Sequence, residues 1–590
     1  MKKIIALLLT AAMACGAAAC GNKAAEESPA DNSGESGATD AEQSADLYDN
    51  ADGETDAAAQ EEKDLYGFSE PFTIKVGFSW GSDFKFVEGE SSENNQWMNL
   101  YREHNIMPEI LYDVDSSQGD AKMSAAIMSG NYPDVTQASP SDFINYAQTD
   151  VIADITDVYE EYASDQLKEY VNADGGLSMQ NCMVNGRLYG VPKMSNSYDS
   201  VPVMWIRADW LENLNLEIPE TMEDLKAVAH AFTYDDPDQN GVNDTYGLAL
   251  NGTDILTNGG GDASAIFAAY NAYPGTDGMA FVEGEDGKVT WGGSNAEGMK
   301  AGLQLLQDMY ADGSLPKTFT TMNANSMFEE TGAGRCGIWF GPMWAAMVPA
   351  GNAIKSDPKA HMIAAPIPTG AGQEQTDVFL TSSLESVFCV SSKCEKPEVL
   401  IKLLNLSVQK LCYPESEEEF IRFYGAPGQY SGWKPALTGT LAPLKNLDNY
   451  RKESAALQSG DTSELNAEQM GDYTNMKAFL DMYNSGDFDP EDAAFSAGIA
   501  LYTVFGDPEG AYALIDDMIA KGAFKPSAYN SLPTDAMAEN AETLKKLTVE
   551  TIVKIITGDP VDSYDDFLET WYALGGEDVI ADAQAWADSN

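Results

Sequence analysis

Phe72-Thr73-Ile74-Lys75-Val76-Gly77-Phe78, followed by Ser79-Trp80-Gly81-Ser82-Asp83, is the stretch from which the fold can be read. The first seven residues are rich in β-branched and aromatic side chains and read as a strand. The next five form a polar loop that carries an aromatic. Asn94 to His104 then reads as a helix, Ile110 to Val114 as a strand, and the alanine- and methionine-rich run Gly119 to Ser129 as a second helix. Asn131-Tyr132-Pro133-Asp134-Val135 turns into a further strand. Strand, helix, strand, helix, strand at this spacing means parallel βαβ units, and hence an α/β fold.

The same pattern continues outward. Asn185-Gly186-Arg187-Leu188-Tyr189-Gly190-Val191-Pro192 reads as a hairpin turn leading into a strand, and Val201-Pro202-Val203-Met204-Trp205-Ile206 as the next strand. Ala208 to Asn213, Met222 to Phe232 and Ala296 to Asp312 read as helices, with Pro219-Glu220-Thr221 as a start signal for the second. Cys336 to Phe340 reads as a strand running into Gly341-Pro342-Met343-Trp344. Ser386 to Val390 reads as a strand, Pro397 to Ser407 as a helix, and Thr534 to Asn590 as largely helical and amphipathic. No internal repeat is visible.

The N-terminus addresses the chain. Lys2 and Lys3 precede an apolar run from Ile4 to Leu9, and Ala17-Ala18-Ala19 leads into Cys20 and Gly21. This is the three-part form of a secretory signal, too short to remain as a membrane-spanning helix. Small-small-Cys also resembles a bacterial lipobox, which makes 1–20 a lipoprotein signal peptide and Cys20 the lipidated residue. Ala17 stands where such boxes usually carry Leu, Cys15 is a second candidate, and an ordinary secretory cut is the alternative. From Cys20 the chain runs through Ala, Ser, Gly, Asp and Glu with almost nothing large, so 21–67 is expected as a disordered acidic tether.

Formal net charge is −60. Phosphate backbones repel such a chain, so nucleic acid is not an expected partner. Seven cysteines, two of them in the leader, are too few and too scattered for a disulfide framework, and Cys389 and Cys394 are expected as free thiols. Three histidines, none at zinc spacing, weaken any Ser-His or Cys-His catalyst.

The sharpest chemical motif is Asp235-Asp236-Pro237-Asp238-Gln239-Asn240-Gly241-Val242-Asn243-Asp244. Oxygen side chains at alternate positions, with Gly at the sixth, can wrap a hard cation. Asp236, Asp238, Asn240 and Asp244 would supply side-chain oxygens and Val242 a carbonyl. An EF-hand needs Glu at the twelfth position, where Gly247 stands. The alternative is an Asp/Asn/Gly turn without metal.

Eight segments, taken in order, carry a resemblance. They are the lipobox, the strand ending at Trp80, Ser129-Gly130-Asn131-Tyr132-Pro133-Asp134-Val135, Asn185 to Pro192, Trp205-Ile206-Arg207-Ala208-Asp209-Trp210-Leu211, the Asp236 loop, Gly337 to Trp344, and Ser392-Lys393-Cys394-Glu395-Lys396-Pro397-Glu398. Together they resemble the extracellular solute-binding proteins of carbohydrate ABC importers, in particular the long lipoprotein branch of alginate-oligosaccharide and LplA-type binding proteins. The resemblance implies a two-lobed periplasmic-binding-protein-like α/β fold of type II, with strands crossing near Pro192 to Val203 and near Pro366 to Ser382. It places 68–193 and 381–409 in the N-terminal lobe, and 194–380 and 410–590 in the C-terminal lobe with its helices. It implies a structural calcium in the Asp236 loop, although that loop often carries another acid after Asp244, where Thr245 stands.

The implied ligand is a carbohydrate in the interlobe cleft, handed by a monomeric, lipid-anchored receptor to an ABC permease. Aromatic faces suit sugars because one face of the ring is apolar and the hydroxyls bond at its edges. In relatives the Gly-Pro turn presents such an aromatic, which singles out Met343 and Trp344, with burial in the core as the alternative for Trp339 and Trp344. Trp80, Ser82 and Asp83 follow the first strand, Asp134 begins the strand behind the Pro turn, and Lys193, Asn196 and Tyr198 follow the first crossing. All these can face the cleft by position. Tyr430 and Trp433 lie in a Gly-rich loop that could close over a ligand. A secreted glycoside hydrolase, which needs paired carboxylates, a sensor or adhesion lipoprotein, and a peptide-binding protein are the competing readings.

Overall fold

The computed structural model describes residues 64–588, apart from 82–83, 258, 277, 285, 382–383, 426–431, 487 and 490–491. The leader with Cys20, nearly all of the tether, and the candidates Ser82, Asp83 and Tyr430 lie outside the described residues.

In chain order the strands that shape the molecule are β1 (Phe72–Trp80), β2 (Ile106–Asp115), β3 (Val135–Ala138), β4 (Val191–Met194), β5 (Val203–Arg207) and β6 (Tyr246–Leu248). They continue with β7 (Cys336–Gly341), β8 (Met362–Ala365), β9 (Val378–Leu380), β10 (Leu384–Val390) and β11 (Phe524–Pro526).

β1 and β2 pair in parallel, with Phe72 opposite Ile106 and Trp80 opposite Asp115. The helix Gln96–Glu103 connects them. It starts at Asn95, whose side chain accepts the Trp97 and Met98 amides and so satisfies two donors the helix leaves open. The second connecting helix runs from Gly119 to Ser129, as its composition indicates. β10 lies between β3 and β4 and is antiparallel to both. Ile74, Val76, Trp97, Val387, Phe388 and Leu403 are buried in the core these elements share. That core also takes Leu411 and Phe423 and packs half-buried Trp433 and Leu441 at its edge, so it reaches past residue 409.

A second core surrounds the sheet β8-β5-β7-β6. β5 is antiparallel to both its neighbours, and β6 runs parallel to β7. Trp205 stacks on Trp339 across the β5–β7 pair, with ring centroids 6.3 Å apart. Gly337 in β7 has a packing reason: a Cβ there would lie 2.2 Å from the Phe232 ring. The C-terminal helices close this core. Trp571 lies flat on Trp291 at 4.1 Å, and Tyr512, Leu544 and Ile552 are fully buried. Each such side chain contributes about 1.5–3 kcal/mol of transfer free energy.

The chain passes repeatedly between the two cores. Met194 packs in the first and Val201 in the second. Leu380 packs against the second and Leu384 against the first, while Leu441 and Leu447 mark a return. Leu532 reaches the first core from a segment whose ends, Ala523 and Met537, are buried in the second. β9 and β11 pair in parallel beside these passages, Val378 opposite Phe524. Cys182, Cys336, Cys389, Cys394 and Cys412 are free thiols.

Candidate functional site

A cavity of about 250 Å³ opens where these passages meet. One side is built by the first passage, through Ser197, Ser200 and Pro202, and the base by Val378, Phe379 and Thr381 from β9 and beyond. β9 alternates, so Phe379 faces away from the buried Val378. Its ring lies 6.4 Å from that of Tyr273, and Phe281 and Tyr529 form an edge-to-face pair at 5.8 Å across the same cavity. The Tyr529 hydroxyl donates to the Leu532 carbonyl, which holds the ring at the passage.

Asp262 and Ser264 supply the polar side of the cavity. The Ser264 amide donates to Asp262 Oδ1 at 2.8 Å and its hydroxyl donates to Oδ2. Burial pushes the Asp262 carboxyl up to about 7. The loop that carries it is fastened to the end of β7, because the amides of Gly261 and Asp262 both donate to the Phe340 carbonyl. Gly261 has φ +85°, and a Cβ there would sit 2.5 Å from the Asn251 nitrogen. The glycine run 259–261 was the sequence signal for this close approach. Asp262, Tyr273, Phe379 and Tyr529 are the lining residues that sequence reasoning missed.

β7 ends in the Gly-Pro turn. Trp205 Nε1 donates to the Pro342 carbonyl at 3.3 Å and pins the turn to the core. Met343 is 7 % exposed and belongs to that core, so it is not presented to a ligand. Trp339 is fully buried as well. Trp344 is the exception, 42 % exposed on a turn that packs against Ser197–Ser200. The cavity and Trp344 therefore flank the same passage.

In the first lobe, Trp80 stacks between Phe78 at 4.9 Å and Phe84 at 4.7 Å, with Phe86 edge-on. Its Nε1 donates to Asp113 Oδ1 at 2.6 Å, and the Ser92 hydroxyl donates to Asp113 Oδ2. Gln96 Nε2 and Trp97 Nε1 both donate to the Gly432 carbonyl at 2.8 Å. This anchors Trp433, and Lys434 sets its ammonium 5.7 Å from the Phe84 ring centroid. Trp80 and Trp433 both pack half-buried against the first core.

Other expected ligand residues are otherwise engaged. Asp134 Oδ2 accepts the Lys75 amide at 2.7 Å, and its carbonyl accepts the Ser391 amide at the far end of β10. The passage enters β10 at Leu384, so about 20 Å of strand separates Asp134 from it. Asp134 ties β1 to β3 and lies away from the cleft. Lys193 Nζ donates to Glu385 Oε1 at 2.6 Å. Asn196 Nδ2 donates to Asp199 Oδ1 and to the Tyr512 hydroxyl, both at 2.9 Å, so its amide holds the passage. Tyr198 packs half-buried against Phe524 at 5.4 Å.

The acidic loop folds on itself. The Gly241 amide donates to both oxygens of Asp236, the Val242 amide to Asn240 Oδ1 at 2.6 Å, and Asn240 Nδ2 to Asp238 and Asp244. Gly241 has φ +78°, the left-handed turn this wrapping requires. Burial, with Asp236 and Asp244 beside it, raises the Asp238 carboxyl. Elsewhere His361, Asp507 and Glu509 bring one potential ligand atom each within 4.8 Å of one another, an arrangement with no sequence signal.

Residues 102–410, more than half of the chain, match the family model described as bacterial extracellular solute-binding protein. The polygalacturonan/rhamnogalacturonan-binding protein YtcQ of Bacillus subtilis is 24 % identical over 80 % of this chain and 84 % of its own length. The Streptococcus pneumoniae substrate-binding protein FusA, solved with kestose, superimposes with a TM-score of 0.57 at 17 % identity, covering 88 % of this chain and 99 % of its own. The alginate-binding protein AlgQ2, solved without calcium ion, gives 0.56 at 16 % identity over 89 % of this chain and 99 % of its own. The fold they share is the two-lobed one described above. With that fold and that family model in agreement, the chain belongs to the bacterial extracellular solute-binding proteins.

Proposed function

We propose that this protein is a receptor on the outer face of a bacterial membrane, which binds an oligosaccharide between its lobes and delivers it to an ABC permease. The aromatic cavity at the passages, with exposed Trp344 beside it, is the observation that carries this reading. Rings that offer flat apolar faces next to hydroxyl and carboxyl groups are what a sugar needs. YtcQ, a polygalacturonan/rhamnogalacturonan-binding protein, and FusA, a fructooligosaccharide ABC transporter substrate-binding protein, support the same ligand class. Ligand touching both lobes would shift the protein from open to closed, with the passages as hinges. The act is binding, with no bond cleaved. Residues 68–193 and 381–409 form one lobe in this reading and the remainder of the folded chain the other, with the segment to Leu441 leaning on the first. Cys20 would carry the lipid and 21–67 the leash, and the receptor would act as a monomer.

The Asp236 loop is read as a structural Ca2+ site, with Asp236, Asp238, Asn240 and Asp244 giving side-chain oxygens and Val242 a carbonyl. What supports this is the alternate spacing, the fold of the loop around its own carboxylates, and the raised Asp238 carboxyl, which a cation would relieve.

The test is thermal melting against a panel of plant, host and microbial oligosaccharides, with calcium or with chelator, followed by chromatography of the sugar. A midpoint raised by one sugar class, with intact sugar recovered, is the expected result. Cleaved sugar would overturn the receptor reading in favour of a hydrolase, and no shift with any sugar would overturn carbohydrate as the ligand.

A further inference from the structure

A sugar-binding cleft can be built for neutral chains or for acidic ones, and the difference lies in its charges. Acidic sugars carry carboxylates, which proteins recognise with lysine and especially arginine. Among the described residues no lysine or arginine lines the cavity at the passages. The stretches 82–83, 382–383 and 426–431 contain none in sequence.

The cations nearby have partners. Lys193 is bound to Glu385 at 2.6 Å, and Arg207 is buried against Asp209. Lys525, opposite Phe379 in the β9–β11 pair, turns its ammonium to the Glu283 carbonyl at 3.3 Å. Lys545 pairs with Asp254 at 3.5 Å. Lys434, on the first-lobe side, lies over Phe84. Among the described residues the acidic group that lines the cavity is instead the carboxyl of Asp262, 4 % exposed.

We infer that the cleft selects uncharged oligosaccharides and turns away uronic-acid chains, with Asp262 as the residue that sets the choice. This rests on the receptor reading above and names the ligand class within it. Each carboxylate oxygen of Asp262 accepts one bond from Ser264 and keeps lone-pair capacity for a further donor. A neutral sugar brings hydroxyl donors, and a hydroxyl bound to a carboxylate makes a strong, charge-assisted bond. A uronate brings a second negative charge into a low-dielectric pocket with no cation among its described lining residues to meet it. The inference sets this chain apart from YtcQ, which is named as a polygalacturonan/rhamnogalacturonan-binding protein.

The experiment is calorimetric titration of the full chain near pH 8.5, where Asp262 is ionised, with kestose, raffinose, maltotriose and tri-galacturonic acid, on the parent and on Asp262→Asn. The expected result is binding of at least one neutral sugar, tri-galacturonate weaker by about 100-fold or more, and a gap narrowed about tenfold or more in Asp262→Asn. Should that variant fail to fold, the parent is titrated near pH 5.5, where Asp262 is protonated and the uronates remain charged. The charged groups that act on it from around are Asp254, which raises its carboxyl, and Lys545, which pairs with Asp254 at 3.5 Å. The gap should narrow there too. Tri-galacturonate binding within about tenfold of the best neutral sugar would overturn the inference and leave the receptor standing. A gap unchanged both by Asp262→Asn and by acid would overturn the role of Asp262. Binding of neither class would overturn the carbohydrate reading itself.

Discussion

The phenol of Tyr512 donates to the carboxylate of Asp199, tying the helix Ala511–Lys521 to the first passage between the lobes. Asn196 donates to both residues, and Asn446 Nδ2 donates to Asp199 Oδ2 at 2.9 Å. Burial raises the Asp199 carboxyl, so each of these donors offsets part of the cost of hiding it. Tyr512→Phe removes one donor and leaves the carboxylate under-satisfied. Urea unfolding should show a loss of about 1–3 kcal/mol. An unchanged midpoint would mean the hub contributes nothing to stability.

Trp344 and Trp339 lie five positions apart and should behave oppositely. Trp344→Ala should unfold like the parent, because that ring is 42 % exposed. If it stacks on sugar, it should weaken oligosaccharide binding by about 1–3 kcal/mol. Trp339→Ala should instead lose about 3–5 kcal/mol of stability, because the ring is fully buried against Trp205. Unaltered affinity in the Trp344 variant would remove that ring from the site.

Calcium should have a sign-dependent effect at the acidic loop. With calcium present, Asp238→Asn should melt several degrees lower than the parent, because a ligand to the ion is lost. With chelator present, it should melt at the same temperature or higher, because one of three crowded carboxylates is gone. Melting curves for both proteins in both conditions decide it. A parent insensitive to calcium and chelator would reject the metal.

Glu453 makes stability depend on pH. It is fully buried on the helix Lys445–Ser459, and neither of its carboxylate oxygens has a hydrogen-bond partner. Burial, then the nearby Asp472 and Glu468, hold its carboxyl far above the ordinary 4.5. The folded state therefore keeps a proton that the unfolded chain releases above that value, and this residue's contribution falls as pH rises. Glu453→Gln removes the ionisation. Its stability relative to the parent should improve by about 1–3 kcal/mol between pH 4 and pH 8, read by denaturant unfolding at each pH. A relative stability independent of pH would show that Glu453 ionises normally.

Local chemistry made several elements legible. The helices Gly119–Ser129 and Ala296–Asp312 have the bounds their composition and caps indicate, and the second stops at Gly313 in the left-handed conformation. The parallel pairing of β1 and β2 follows from the same periodicity. The strands Tyr246–Leu248 and Met362–Ala365 escaped notice, because segments of three or four residues become strands through the neighbours they pair with. The helices Lys445–Ser459 and Ala467–Ser485 were not read either, and they hold the buried acid Glu453 and the carboxyls of Glu468 and Asp472 that raise it.

The sequence by itself determined the α/β class, the family signature, the acidic loop at Asp236 and the Gly-Pro turn that carries Trp344, because each is written in short runs of residues. Only the tertiary structure decided which side chains share a site. Asp262 and Tyr273 meet Phe379 and Tyr529 from segments more than a hundred positions apart, and no local pattern marks that meeting. It also removed candidates: Asp134 stands at the wrong end of its strand, Met343 turns into the core, and Asn196 gives its amide to the hinge. A strand's period states which residues share a face, but which end meets the cleft, and which polar groups are already bonded, depend on contacts that exist only after the chain has folded.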